Sequence, residues 1–213
     1  MEKTKQGTES AFSIQEIDKY LRKSLEKKRY THTLGVASTA ACLAMRYGTD
    51  VNKAYLAGLL HDNAKCLSTK KKISICEKAG FPISKIEEKN PELLHSKVGS
   101  YLAKVKFHIE DKDILNAVYY HTTGRPDMSL LEKMIFVADY IEPNRKMIAG
   151  LDKIRLAAFQ DLDSAMLQIL ENTLNYIKKK EHASDIDPMT QKTYEYYCTA
   201  VHKQLKNKTE GKE

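Results

Sequence analysis

The stretch AYLAGLLHDNAK, Ala54 to Lys65, is apolar from Tyr55 to Leu60 and then sets His61 and Asp62 side by side. An apolar run of this kind belongs in a core. A carboxylate at its end is costly to bury without a partner, because desolvation disfavours its charge. The reading of the chain turns on which helices enclose this stretch and what Asp62 binds.

On both sides of it the helical period dominates, and no strand alternation competes. Ser13-Ile14-Gln15-Glu16 has the form of a capping box opening a first helix through about Lys27. A second helix is expected from about Tyr30 to Tyr47, with Gly48 as its stop. The third follows Asp50 and carries the quoted stretch. Ser68 caps a fourth, which Gly80 ends before Phe81-Pro82. Asn90-Pro91 opens a helix to about Lys106, with proline at its first position. Asp111 opens another that ends near His121, stopped by Gly124 and Pro126. Ser129 caps the apolar run LLEKMIFVADYI, and two amphipathic helices follow, from about Asp161 to Lys180 and from Pro188 to about Lys206. The expected class is all-α, a bundle of roughly nine or ten helices. One domain spans 13–206, between flexible polar tails at 1–12 and 207–213.

With 213 residues, 42% of them hydrophobic, the chain is long enough for one sizeable core. Its 35 Lys and Arg against 28 Asp and Glu leave a charge of +7, which suits an anionic partner or an ordinary solvated surface. The four cysteines, Cys42, Cys66, Cys76 and Cys198, form no CxxC pair, which argues against a thiolate zinc site and a disulfide framework. The polar start MEKTKQGTES does not read as a secretory signal, and no apolar run approaches the ~20 residues of a membrane span. A cytoplasmic protein without a membrane partner is the expectation.

Four of the seven histidines have apolar helical neighbours: His32, His61, His95 and His121. Asp139, inside Ile135-Phe136-Val137-Ala138-Asp139-Tyr140-Ile141, shares that context with Asp62. Each alone reads as a hydrogen-bonded core residue. Together, four imidazoles and two carboxylates supply few cations for one another, and a divalent metal satisfies them all. Six ligands exceed one tetrahedral site, so two metals with one bridging Asp fit better. Two-metal centres lie ~3.5–4 Å apart, clamp a phosphoryl oxygen and activate water.

The order His32, His61-Asp62, His95, His121, Asp139 resembles the HD-domain metal-dependent phosphohydrolase superfamily, and the pair His95 and His121 resembles its dinuclear branch. The segments RYTHTLGVA, LAGLLHDNAK, HSKVG and HTTGRPDMSLLEKMIFVADYIEPNR closely resemble the YqeK family, whose members cleave diadenosine tetraphosphate symmetrically. The resemblance implies an HD-domain helical bundle in which His32, His61, Asp62 and Asp139 hold one metal, and Asp62 bridges to a second held by His95 and His121. It implies iron, with manganese or cobalt as substitutes, and a homodimer. It also lays the block Asp139, Tyr140, Ile141, Glu142, Pro143, Asn144 and Arg145 along the bound nucleotide. Asn63 departs from the family pattern, where a small or apolar residue is more usual.

Lys65, three residues after Asp62, falls on nearly the same helix face and is expected to contact phosphate, joining Asp62 in the catalytic set. Arg145 is suited to grip phosphate oxygens bidentately. Arg29 precedes His32 by three and faces the same pocket; Thr122 and Thr123 follow His121 directly and either line the site or end the helix. His108, His182 and His202 read as surface residues, and Tyr194, Tyr196 and Tyr197 as packing. The rival readings are another HD-domain phosphohydrolase, acting on nucleoside monophosphates or deoxynucleotides, and a basic RNA-binding protein. No basic patch interleaved with aromatics supports the latter, so no nucleic-acid partner is expected.

Overall fold

The computed structural model describes residues 12–180 and 186–210. His182 and most of the two expected tails lie outside them. Among the described residues there are eleven α-helices and no strand. They are α1 (Ile14–Ser24), α2 (Lys27–Tyr47), α3 (Val51–Leu60), α4 (Thr69–Ala79), α5 (Lys85–Lys89), α6 (Leu94–Phe107), α7 (Lys112–Tyr120), α8 (Leu130–Ile141), α9 (Leu151–Ala158), α10 (Leu162–Lys180) and α11 (Pro188–Glu210).

Local chemistry explains most starts and stops. Ser13 and Ser129 form reciprocal capping boxes with Glu16 and Glu132, and Asp50, Ser68 and Asp111 each accept a first-turn N–H. Gly48 and Gly80 end α2 and α4 in the left-handed conformation.

The helices differ from the sequence reading in several places. The first helix ends at Ser24 and the second begins at Lys27. Leu25 between them is extended and buried in the core, so tertiary packing breaks the helix where no Gly or Pro marks a break. Asn90-Pro91 starts a short 3₁₀ turn, Pro91–Leu93, and α6 begins only at Leu94. Helix α5 carries a capping box between Ser84 and Glu87 that the sequence reading passed over. Helix α9 starts at Gly150, which offers no side-chain cap, so it had no N-terminal signal.

α2 packs on α3 and α8, and α7 closes against α3, α6 and α8. Gly58 allows the tightest crossing: a Cβ there would lie 2.6 Å from the Ala37 Cα, so only glycine lets α3 approach α2 this closely. The main core runs through Val36, Ala40, Leu59, Leu60, Met134, Ile135 and Leu170. A smaller cluster, Ala64, Cys76, Leu94 and Val98, seats α4 and the start of α6. Tyr197 is buried, and its hydroxyl accepts the Met128 N–H, in keeping with packing.

Candidate metal centre

The ends of three core helices converge. His61 caps the C-terminus of α3, His121 caps that of α7, and Asp139 lies in the last turn of α8. Helix C-termini carry partial negative charge and favour a cation. His32 in the second turn of α2 and His95 at the start of α6 complete the ring.

Each imidazole is held from behind. His61 donates Nδ1–H to the Gly58 carbonyl and His121 to the Val118 carbonyl, both at 2.7 Å, and His95 to the Glu92 carbonyl. All three acceptors lie three residues back; at α3 and α7 they are among the carbonyls a helix end leaves unsatisfied. A carbonyl only accepts, so a neutral ring keeps its lone pair on Nε2. His95 is neutral at pH 7, because burial pushes its pKa down to about 4. His32 uses a carboxylate instead: its Nδ1 lies 3.1 Å from Oε1 of the buried Glu142.

The Nε2 atoms all face inward. Those of His32 and His61 are 3.3 Å apart, and those of His95 and His121 are 3.0 Å apart. Asp62, 3% exposed, stands between the pairs. Its Oδ2 is 3.4 Å from His61 Nε2 and 3.9 Å from His32 Nε2; its Oδ1 is 3.2 Å from His95 Nε2 and 3.7 Å from His121 Nε2. Asp139 Oδ1 joins the first pair, 3.0 Å from His32 Nε2 and 4.0 Å from His61 Nε2.

This donor set fits divalent metal. Two groups, His32-His61-Asp62 and Asp62-His95-His121, can each hold an ion. Lone pairs facing one another at 3.0 Å repel unless a cation lies between them, and nitrogens about 2.1 Å from a shared ion are separated by about that much. Asp62 Oδ1 is buried and, among the described residues, finds no hydrogen-bond donor, a costly state that coordination relieves.

Cations and hydroxyls ring the centre. The Arg29 guanidinium sits 2.7 Å from Asp62 Oδ2. Arg145 holds Asp139 twice, from Nη2 to Oδ1 and from Nε to the backbone carbonyl, each at 3.0 Å. Lys65 Nζ lies 3.4 Å from His95 Nδ1, and burial lowers its pKa. The Thr122 hydroxyl is 3.4 Å from His95 Nε2 and 3.3 Å from His121 Nε2.

Other sequence-derived candidates sit elsewhere. Thr123 donates to the Gly124 carbonyl, and Ile141 is core. Pro143 is exposed. Asn144 holds Glu142 Oε2 through its backbone and side-chain N–H groups. Arg125, four residues past His121 and not assigned to the site from the sequence, pairs with the buried Glu132. The sequence reading missed Glu92, Lys72 and Gly35. Lys72 is fully buried and donates to the Glu92 carboxylate at 2.8 Å, steadying the residue whose carbonyl holds His95. Gly35 was legible in principle: glycine inside a helix costs ~1 kcal/mol and hints at a close approach.

Two clefts flank this centre, each about 720 Å³ and both bordered by Arg145 and Lys146. One is walled by Tyr140, Ile148, Asn172, Asn175 and Tyr176. The other opens at the start of α2 and includes Arg29 and His32.

Residues 29–144, which span all six ligands, match the HD domain model. The chain belongs to the HD-domain family. Its relatives narrow the kinship. It is 42% identical over 176 residues to a protein of Bacillus subtilis named "Bis(5'-nucleosyl)-tetraphosphatase, symmetrical", covering 83% of this chain and 92% of that protein. A protein of the same name from Halalkalibacterium halodurans is 44% identical over 170 residues, covering 80% of this chain and 89% of its own. A crystal structure from Clostridium acetobutylicum, of a "predicted HD superfamily hydrolase involved in NAD metabolism", superposes with a TM-score of 0.84 at 42% identity. It covers 90% of this chain and all of that one.

Proposed function

We propose that the protein hydrolyses diadenosine tetraphosphate symmetrically: water joins one inner phosphorus, its bond to the central bridging oxygen breaks, one ADP leaves and the hydrated half is the second ADP. The observation that carries this reading is Asp62, whose two oxygens face two separate histidine pairs. The names of the Bacillus subtilis and Halalkalibacterium halodurans relatives supply the substrate.

In this reading His32, His61, Asp62 and Asp139 hold one ion, and Asp62, His95 and His121 the other. Iron is the proposed metal, with manganese or cobalt as substitutes; imidazole and carboxylate suit all three. When bound, the two ions supply an activated water and neutralise charge on the scissile phosphate. The chain does the rest. Glu142 and the three backbone carbonyls hold the imidazoles so that Nε2 faces inward. Lys65 and the Thr122 hydroxyl stand on the side of the second ion and contact phosphate. Arg145, already fixed by Asp139, presents its guanidinium at the meeting of the two clefts. The cleft walled by Tyr140 and Tyr176 receives a nucleoside. The protein works in the cytoplasm as a homodimer; its four free cysteines are consistent with a reducing compartment, and among the described residues no helix is long and apolar enough to cross a membrane.

The test is product chromatography. Protein purified without chelator and supplied with ferrous or manganous ion under low oxygen should turn diadenosine tetraphosphate into ADP alone. Chelator should stop the reaction. ATP and AMP as products would place the wrong phosphorus at the centre. No turnover with metal bound would point to a different phosphate ester.

A further inference from the structure

The two clefts that meet at Arg145 and Lys146 are chemically unlike, whereas a dinucleoside tetraphosphate has two like halves. The first offers aromatic and aliphatic surface, from Tyr140, Ile148 and Tyr176, with amides from Asn172 and Asn175, beside Lys179 and the shared Arg145 and Lys146. The second carries five cationic side chains, Lys27, Lys28, Arg29, Arg145 and Lys146, and no aliphatic, Phe, Tyr or Trp side chain. Of its two carboxylates, Glu142 is committed to His32 and Asn144, which leaves Glu26. Arg29 and Arg145 are tied to Asp62 and Asp139, but no ion pair engages Lys27, Lys28 or Lys146 among the described residues.

The backbone adds to this charge. Helix α2, 21 residues long, begins in the second cleft with Lys27; its N-cap Glu26 makes no side-chain cap, and its first turn holds no acidic residue. The opening N–H groups are therefore uncapped and lie at the positive end of the helix. Lysines at a helix start oppose the dipole. An anion in the cleft reverses that sign and uses lysines and N–H groups together. His32, a wall of the same cleft, leads to the metal centre.

We propose that the cleft at the start of α2 is a subsite for phosphate chain without nucleoside recognition. The centre then reads one nucleoside of its substrate, in the Tyr140 cleft, and only the phosphates of the other half. A base docked beside lysines finds no Phe, Tyr or Trp ring to stack on. This inference rests on the hydrolase reading above and narrows it to substrates that need a nucleoside at one end only.

Adenosine 5'-tetraphosphate tests it. Water added across the central P–O–P bridge gives ADP and pyrophosphate. With manganese present, its kcat/KM should fall within about tenfold, or about 1.4 kcal/mol, of that for diadenosine tetraphosphate. Rapid cleavage of the dinucleotide with a loss above a hundredfold for the mononucleotide would overturn the inference and leave the hydrolase reading intact. Failure of both substrates would count against the hydrolase reading, and a binding measurement then judges the cleft alone. In metal-loaded protein, Lys27→Glu with Lys28→Glu should weaken inorganic tripolyphosphate by more than about tenfold, as expected for lost charge-assisted hydrogen bonds. ADP affinity should stay within threefold. Acidic residues suit the first turn of a helix, so this variant folds. Unchanged tripolyphosphate affinity, or an equal loss for ADP, would refute the subsite.

Discussion

A Cβ on Gly35 would lie 2.3 Å from Glu142 Oε2, and the other oxygen of that carboxylate holds His32 Nδ1 at 3.1 Å. The absence of a side chain at Gly35 thus bears directly on the orientation of His32, a candidate metal ligand. Gly35→Ala should favour α2 by propensity, by about 1 kcal/mol, yet displace Glu142. Manganese affinity should fall by ~10–100-fold, the usual cost of disturbing a partner behind a metal ligand. Calorimetric titration of the metal checks this; unchanged affinity would show that Glu142 does not position His32.

Asp62 serves both histidine pairs, so Asp62→Ala should remove both ions and all ADP production together. Elemental analysis of the purified variant reads the first, product chromatography the second. Full metal content with normal turnover would end the two-metal account. In the parent protein, chelation should lower Tm and added manganese restore it, because an ion that binds only the folded state stabilises it by mass action.

Lys72 reaches the centre only through Glu92. Its partner carboxylate is 58% exposed, so Lys72→Met leaves no buried charge behind, and stability should change by no more than about 1 kcal/mol. The second site, through His95, should weaken while the first holds. Two-step metal titration separates them; equal weakening at both would mean that Lys72 supports the fold and not His95.

Arg125 lies close in sequence to His121 yet belongs to the fold. It pairs with fully buried Glu132, which also accepts the Ser129 N–H of the α8 capping box. Glu132→Ala should cost about 2 kcal/mol in urea unfolding, a lost cap plus a partly exposed ion pair, with metal content unchanged. A loss of metal there would tie Arg125 to the centre.

Arg145 differs, because it is exposed and meets both clefts. Arg145→Ala should raise KM for diadenosine tetraphosphate by about tenfold, the worth of one charge-assisted contact, and leave both ions bound. Loss of metal would place its role on Asp139 instead of phosphate.

The helical class and the six His and Asp residues that the fold brings together were legible because each signal is local. Caps such as Ser13, Asp50 and Ser129 announce their helices within four residues. Histidine and aspartate inside apolar helical runs are chemically conspicuous, since each demands a partner that its neighbours cannot supply. Direction was not legible. Glu142 reads as one of a polar string, Glu142-Pro143-Asn144-Arg145, and only the packing of α8 on α2 turns it to His32, 110 residues away. Leu25 breaks a helix because the core claims its side chain, not because of any breaker nearby. The sequence by itself therefore determined an all-helical chain carrying a set of His and Asp residues able to hold metal. Only the tertiary structure decided which oxygen of Asp62 faces which histidines, and that Tyr140 and Tyr176 line one cleft while Lys27, Lys28 and Arg29 line the other. Those depend on contacts between helices far apart in the chain, which no local pattern encodes.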